Sequence, residues 1–354
     1  MSHPRRGAIV GFGNVAEHGH CPAWSRTEGF EIVAVADPSP ERRRAAELAL
    51  PGVRTYTDHT ALLAAERIDF VDIASPPAYH APAMRAATEH QVHIVCEKPL
   101  TATRAEYLPV RQAVIAAGTV LYPVHNWKSA EAFRLAAAVI AAGSLGELRR
   151  LRFETHRNGW AAGGNDWRTE AAIAGGGILV DHGWHTFYLL LGLAGARPLR
   201  VRASAERRRY RDAEVEDTVE CDIDFGELRG EIFLTWAAPK RRTRWLVEGA
   251  LGALVIEDDR IELIGTAVRR GGDLPQTLAL SLSQGSHHPE WFPDVIAGFA
   301  AELEDPQRHG AERREAEWCL ALLDHAYRSA ADNGRAIELP ADLDRWFARD
   351  EARR

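Results

Sequence analysis

The chain is nearly without lysine: of 43 basic residues only Lys98, Lys128 and Lys240 are lysines. A guanidinium stays charged inside a protein, whereas burial can push an ammonium toward its neutral form, so each retained lysine is a candidate for chemistry. Cysteine is sparse as well. Cys21, Cys96, Cys221 and Cys319 are widely scattered and form no Cys-x-x-Cys pair, which argues against a zinc-thiolate site and suits a reducing compartment. Basic excess is absent, the net charge being -7, and this argues against a nucleic-acid partner, whose binding needs a positive footprint. No apolar stretch approaches the length of a membrane span, and Met1 to Arg6 leads into a short strand without a signal-peptide core, so a cytoplasmic protein with no membrane partner is expected. Internal repeats and low-complexity segments are missing too.

What remains is a globular chain of 354 residues, nearly half apolar, long enough for two domains with sizeable cores. In the first third, short β-branched runs alternate with Ala-rich helical stretches: Gly7 to Val10, Ile32 to Ala36, Asp69 to Ala74, Gln91 to Cys96 and Thr119 to Val124 read as strands. Strands spaced by helix-length segments imply βαβ units and a parallel sheet. From Leu148 onward the strands are longer and follow one another with few helices. Arg149 to Thr155, Leu199 to Ala205, Thr218 to Asp224, Gly230 to Trp236, Thr243 to Gly249, Gly252 to Glu257 and Arg260 to Ile264 predict an open, mostly antiparallel sheet. Helices are expected from about Gly177 to Leu193 and from about Glu312 to Asn333, the latter stopped by Gly334. The expected fold is therefore an α/β domain over 1–124 and an α+β domain over 125–354.

Gly11-Phe12-Gly13-Asn14-Val15-Ala16 follows the first strand and opens a helical segment, matching the G-x-G-x-x-G/A dinucleotide fingerprint. The first glycine permits the tight turn, the second lets the backbone approach the pyrophosphate, and the small Ala16 permits close helix-strand packing. Asp37, at the end of the second strand, stands where a carboxylate binds the adenosine ribose diol, which favours NAD over NADP. Arg42 to Arg44 lie close enough in sequence to weaken that preference, although on a helix they also read as a solvated face. Lys98 follows the apolar run Val92 to Cys96, at the carboxyl end of a parallel strand, where ligands of such sheets bind. A second constellation is Gly175 to His185, in which Asp181 and His185 are four residues apart. On a helix they share a face, and the carboxylate can orient the imidazole for acid-base work. His182 then points elsewhere, toward packing or a pocket wall.

The motifs GFGNVA at 11–16, SPPAYH at 75–80, EKPL at 97–100, DWR at 166–168 and GGGILVDHGWH at 175–185 occur in that order, and with them the chain resembles the glucose-fructose oxidoreductase / inositol dehydrogenase / MocA (Gfo/Idh/MocA) family along nearly its whole length. The resemblance implies a Rossmann domain, a second domain whose open sheet often mediates oligomerisation as a homodimer or homotetramer, and hydride transfer between nicotinamide and a sugar, cyclitol or related polyol. It places the family's catalytic lysine at Lys98, its substrate-side aspartate at Asp181 and its acid-base histidine at His185. Cofactor contacts are implied for Gly11, Phe12, Gly13, Asn14, Val15, Asp37, Ser75, Pro76, His80, Glu97 and Lys98. The family often carries an acidic residue three positions after the histidine; this chain has Tyr188.

Candidate substrate contacts are His125, Asn126 and Lys128, which follow the last strand of the first domain, with Trp167, Arg168 and His182. Trp167 reads equally as core packing. His156, His287 and His288 enlarge the histidine count, but no His-x-x-x-His pair appears, and no metal is expected. Arg207 to Arg209, Arg211 and Lys240 to Arg242 suit either a phosphate or nucleotide-sugar tail or, more simply, solvated strand ends and subunit contacts. In this chemistry His185 removes the hydroxyl proton, Asp181 orients it or binds an adjacent hydroxyl, and Lys98 stabilises charge on the reacting oxygen. Two other readings use the same parts: a glycoside-cleaving enzyme that oxidises its substrate transiently on bound NAD, and a non-catalytic nucleotide-binding regulator. The intact Lys98, Asp181 and His185 count against the regulator.

Overall fold

A computed structural model describes residues 3–159, 167–266, 275–284 and 288–348; Asp166 and His287 lie outside the described residues. The chain divides into two compact units, Met1–Ser129 with Gly285–Ala316, and Ala130–Gln284 with Glu317–Arg354. The expected division at 124/125 is contiguous in sequence, whereas these units interleave. The cause is the helix Phe292–Glu304, whose Phe292, Val295, Ile296 and Phe299 belong to the same core as Ile9, Trp24, Phe70 and Val95.

The first unit is built on strands β1 (Arg5–Val10), β2 (Phe30–Ala36), β3 (Arg54–Tyr56), β4 (Phe70–Ile73), β5 (His93–Cys96) and β6 (Leu121–Pro123). They are all parallel in the order β3-β2-β1-β4-β5-β6, the arrangement of a dinucleotide-binding sheet. β4 and β5 are short apolar runs because helices cover both faces of such a sheet. Asp72 breaks the apolar pattern of β4, yet it is fully buried. β3 escapes sequence reading because it is a three-residue edge strand with an exposed Arg54. After GFGNVA the chain makes a π-helical turn, Ala16–His20, before the α-helix Cys21–Trp24.

The second unit carries β7 (Leu148–Asn158), β8 (Arg200–Glu206), β9 (Thr218–Asp224), β10 (Arg229–Thr235), β11 (Ala237–Gly249), β12 (Gly252–Glu257), β13 (Arg260–Gly265) and β14 (Ile337–Glu338). Their order is β13-β12-β11-β7-β10-β9-β8-β14. Only β7 and β10 pair in parallel, the other neighbours being antiparallel. Residues 151, 153, 155 and 157 of β7 point to one buried face, as the period of two requires. The helix expected over Gly177 to Leu193 forms in two pieces, a π-helical turn Leu179–Gly183 and an α-helix Trp184–Ala194. Its residues Trp184, Phe187, Tyr188, Leu189 and Leu190 are all buried, as an apolar helix covering a sheet demands. Among the described residues no helix is long and apolar enough to cross a membrane.

Candidate active site

Gly11 ends β1 with φ +89, and a Cβ there would fall 2.7 Å from the Ser75 backbone. Only glycine allows both the left-handed turn and this approach of two loops at the carboxyl ends of β1 and β4. A Cβ on Gly13 would meet nothing within 4 Å, so the loop is open where a pyrophosphate would lie. Phe12 donates its N–H to Asp37 Oδ2 at 2.8 Å, and Ser39 donates to Asp37 Oδ1 at 2.9 Å. These two bonds lock the carboxylate at the tip of β2. Arg43 donates to the carbonyls of Asp37 and Pro38, and Arg42 reaches Glu17 and Asn14, so both arginines of the adjoining helix brace the loop. Ser75 Oγ is buried without a hydrogen-bond partner, an unsatisfied group at the strand ends where a bound dinucleotide offers acceptors and donors. With Asp37 and the glycine turn, it makes this donor set fit NAD. His80 sets its two ring nitrogens 2.8 Å from the Pro99 carbonyl and 2.7 Å from the Ser75 carbonyl, and burial holds its pKa below the usual value.

Lys98 lies just past β5, and its N–H is held by Glu97 Oε2 at 3.0 Å. The other oxygen of Glu97 meets His20 Nε2 at 3.0 Å, while His20 Nδ1 meets Asp72 at 2.9 Å and Trp24 Nε1 donates to Asp72 at 2.7 Å. Phe292 stacks on the His20 ring, centroids 3.8 Å apart. Burial opposes charge on His20, but Asp72 and then Glu97 outweigh it and raise its pKa to about 9. Burial likewise works to raise Glu97, and His20 and Lys98 overcome it, leaving that carboxyl below its ordinary value. The segment that carries Lys98 is thus anchored to a buried ion network.

His125 and Asn126 follow β6. Asn126 Oδ1 is buried and unpartnered. His125 Nδ1 lies 3.0 Å from Glu315 and 3.6 Å from Glu312. One ligand atom from each of these three residues falls within 4.8 Å of the others, in principle enough to hold a metal ion. The cation seated there is the Lys128 ammonium, 2.6 Å from Glu315 and 3.0 Å from Glu312. Burial would raise the Glu312 pKa, but its contact with His125 and then the Lys128 charge bring it down to about 2, while Glu315 and then Glu312 raise the Lys128 pKa against its burial. Trp127 packs edge-on to Trp291, on which His288 stacks.

In the second unit, Gly177 begins the segment that bears Asp181 and His185. A Cβ on Gly177 would lie 1.9 Å from the Glu216 carbonyl, so no other residue fits. The Glu216 carboxylate accepts the N–H groups of Gly177 and Leu179, each at 3.0 Å, and the Tyr327 hydroxyl at 2.9 Å. Burial still pushes its pKa up, against those three donors. The π-helical turn places His182 Nε2 3.7 Å from Asp181 Oδ2. His185 Nδ1 lies 2.7 Å from the hydroxyl of the fully buried Tyr188, the position where the family often carries an acid. Arg168 stacks over the Trp167 ring at 4.5 Å. Arg207, Arg208 and Arg209 are engaged with Ala213, with Glu206 and Glu220, and with Asn158.

Glu216, Glu312, Glu315, His20 and Asp72 were not singled out from the sequence. Asp72 had a signal, a carboxylate inside an apolar strand; Glu216, which meets Gly177 from 39 residues away, had none. Glu312 and Glu315 had none, being acidic residues among others on an amphipathic helix.

The glycine turn, the anchored Asp37 and the sheet order define an NAD-binding oxidoreductase with a Rossmann domain. Residues 5–125 match the oxidoreductase family with an NAD-binding Rossmann fold, and residues 133–267 match the GFO/IDH/MocA C-terminal domain; the chain belongs to the Gfo/Idh/MocA family. It is 34% identical to the D-apiose dehydrogenase of Paraburkholderia graminis over 141 residues, 40% of this chain and 37% of that one. It is 24% identical to the 1,5-anhydro-D-fructose reductase of Ensifer adhaerens over 90% of this chain and 94% of that one. An NAD-binding protein from Listeria innocua superimposes with a TM-score of 0.80 at 25% identity, over 96% of this chain and 98% of that structure.

Proposed function

We propose that this protein is an NAD-dependent dehydrogenase that oxidises a secondary hydroxyl of a sugar, cyclitol or related polyol, or reduces the matching ketone. The observation that carries the reading is the unsatisfied Ser75 hydroxyl on a backbone packed against Gly11, with an anchored Asp37 after the next strand. Relatives named D-apiose dehydrogenase, levoglucosan dehydrogenase and inositol 2-dehydrogenase support the substrate class. Bound NAD supplies the hydride acceptor. With a proton on Nδ1 donated to Tyr188, His185 keeps the Nε2 lone pair to take the substrate hydroxyl proton. Lys98 hydrogen-bonds the reacting oxygen and stabilises its developing negative charge, and Asp181 holds a neighbouring hydroxyl. His125, Asn126, Trp167, Arg168 and His182 are proposed to contact the substrate. Lys128 joins them through the two glutamates that hold it. The protein works in the cytoplasm as a homodimer or homotetramer formed through the sheet of domain 125–354.

The test is a panel of inositols, hexoses and sugar phosphates with NAD, followed at the reduced-nicotinamide absorbance band. Net NADH formation from a free polyol is expected, and Lys98→Met is expected to cut turnover by roughly 1000-fold while NAD affinity changes only a few-fold. Release of an aglycone without net NADH would reject the reading, and normal turnover in the variant would remove Lys98 from the mechanism.

A further inference from the structure

The inward side of β7 reads Leu151, Phe153, Thr155, Arg157, so a guanidinium stands where the strand's period requires a core residue. Arg157 is only 5% exposed. Its Nη1 donates to the His156 carbonyl at 3.0 Å, the Arg242 carbonyl at 3.4 Å and Thr243 Oγ1 at 3.0 Å, all neutral acceptors. Its Nε has no partner among the described residues. No carboxylate among the described residues forms an ion pair with it; Asp181 and Asp258 attract it through space and Arg241 repels it. Burial lowers its pKa to about 10, which leaves it charged at neutral pH. A buried charge with no counter-charge in contact is strongly unfavourable, and a chain that keeps one gains by supplying the counter-charge from a ligand.

The surrounding strand is opened at the same point. β11 pairs Ala237 with Asn158 and Arg242 with His156, so Ala238, Pro239, Lys240 and Arg241 stand opposite Arg157 alone. Bulges of this kind re-aim side chains beside functional sites, and this one adds two basic residues. Arg157 also lies within the field of Asp181, the proposed substrate-side carboxylate of the same unit.

We propose that Arg157 is a specificity residue that binds an anionic oxygen group on the substrate, making the substrate a sugar acid or sugar phosphate in preference to a neutral sugar. This rests on the dehydrogenase reading and narrows its substrate class. The planar guanidinium suits carboxylate and phosphate oxygens, and its Nε–H has no acceptor among the described residues.

Calorimetric titration of the NAD-saturated protein with D-glucuronate, D-glucose 6-phosphate and D-glucose tests it, and the two anions separate carboxylate from phosphate recognition. One anion is expected to bind at least about 10-fold more tightly than glucose. Arg157→Gln should weaken that anion about 10- to 100-fold and glucose less than about 3-fold. Arg157→Lys, which keeps the charge, should retain part of the preference and serves as the readout if Arg157→Gln does not fold. Equal binding of charged and neutral sugars, or equal loss of both in the variants, would make Arg157 a clamp for the β11 bulge and overturn the proposal. Turnover of neutral polyols with no anion preference defeats this inference alone; binding of a sugar acid without NADH from any substrate defeats the dehydrogenase reading alone.

Discussion

His20 shows how a single residue ties stability to pH. Its folded pKa of about 9 stands above the ordinary 6.5, so between those values the folded state holds a proton that the unfolded chain releases. The stabilisation is complete below pH 6.5, is lost as pH rises through 9, and is on the order of 3 kcal/mol. Glu97 has the opposite sign: its lowered pKa contributes stability above the ordinary carboxylate range, lost on acidification. His20→Gln leaves Asp72 and Glu97 without their cation. Denaturant melts should show the variant less stable by about 3 kcal/mol at pH 6, with the gap to the native protein closing by pH 10. A gap that stays constant with pH would show that His20 acts through packing on Phe292.

The element that presents Asp181 and His185 is set by one glycine and one carboxylate. Glu216 satisfies the N–H groups of Gly177 and Leu179, donors that a helix start otherwise leaves unpaired. Gly177 lies against the Glu216 carbonyl. A methyl group there must push the segment away from β9 and its flanking residues. Gly177→Ala is expected to cost about 1–3 kcal/mol in stability and, if Asp181 and His185 do the acid-base work proposed for them, to lower kcat at least about 10-fold, since displacement of such groups by an ångström has that scale of effect. NAD affinity, measured by fluorescence titration, should stay within about 2-fold, because the dinucleotide-binding residues lie in the other unit. Loss of NAD binding in this variant would contradict that separation.

At the scale of the whole molecule, coenzyme choice links binding to stability. Any ligand that binds only the folded chain stabilises it, by about 2.7 kcal/mol at a hundred times Kd, and so raises its melting temperature. Asp37 is anchored with its carboxylate at the ribose end of the fingerprint, and Arg42 and Arg43 are engaged by Glu17, Asn14 and backbone carbonyls. NAD should therefore raise the melting temperature more than equimolar NADP, and Asp37→Ser should narrow the difference. A larger shift with NADP would mean that the arginines release their partners to bind the 2'-phosphate.

The parallel sheet, the glycine turn, the positions of Asp37 and Lys98 just past strand ends and the antiparallel strands of the second unit were legible in the sequence, because each depends on neighbours close along the chain: a period of two, a turn that admits only glycine, a strand end. The same locality explains what was missed at the edges, β3 and β14, which are too short to carry a pattern. Tertiary structure alone decided that Lys128 is held by Glu312 and Glu315, that Phe292–Glu304 returns to the first core, and that Tyr188 meets His185 across a helical turn preceded by a π-helical turn. It also left Arg157 buried with no anion in contact among the described residues. Charges act through space, over distances and at burials that only the folded chain sets, so residues nearly two hundred positions apart can fix one another's ionisation while their spacing in sequence says nothing of it.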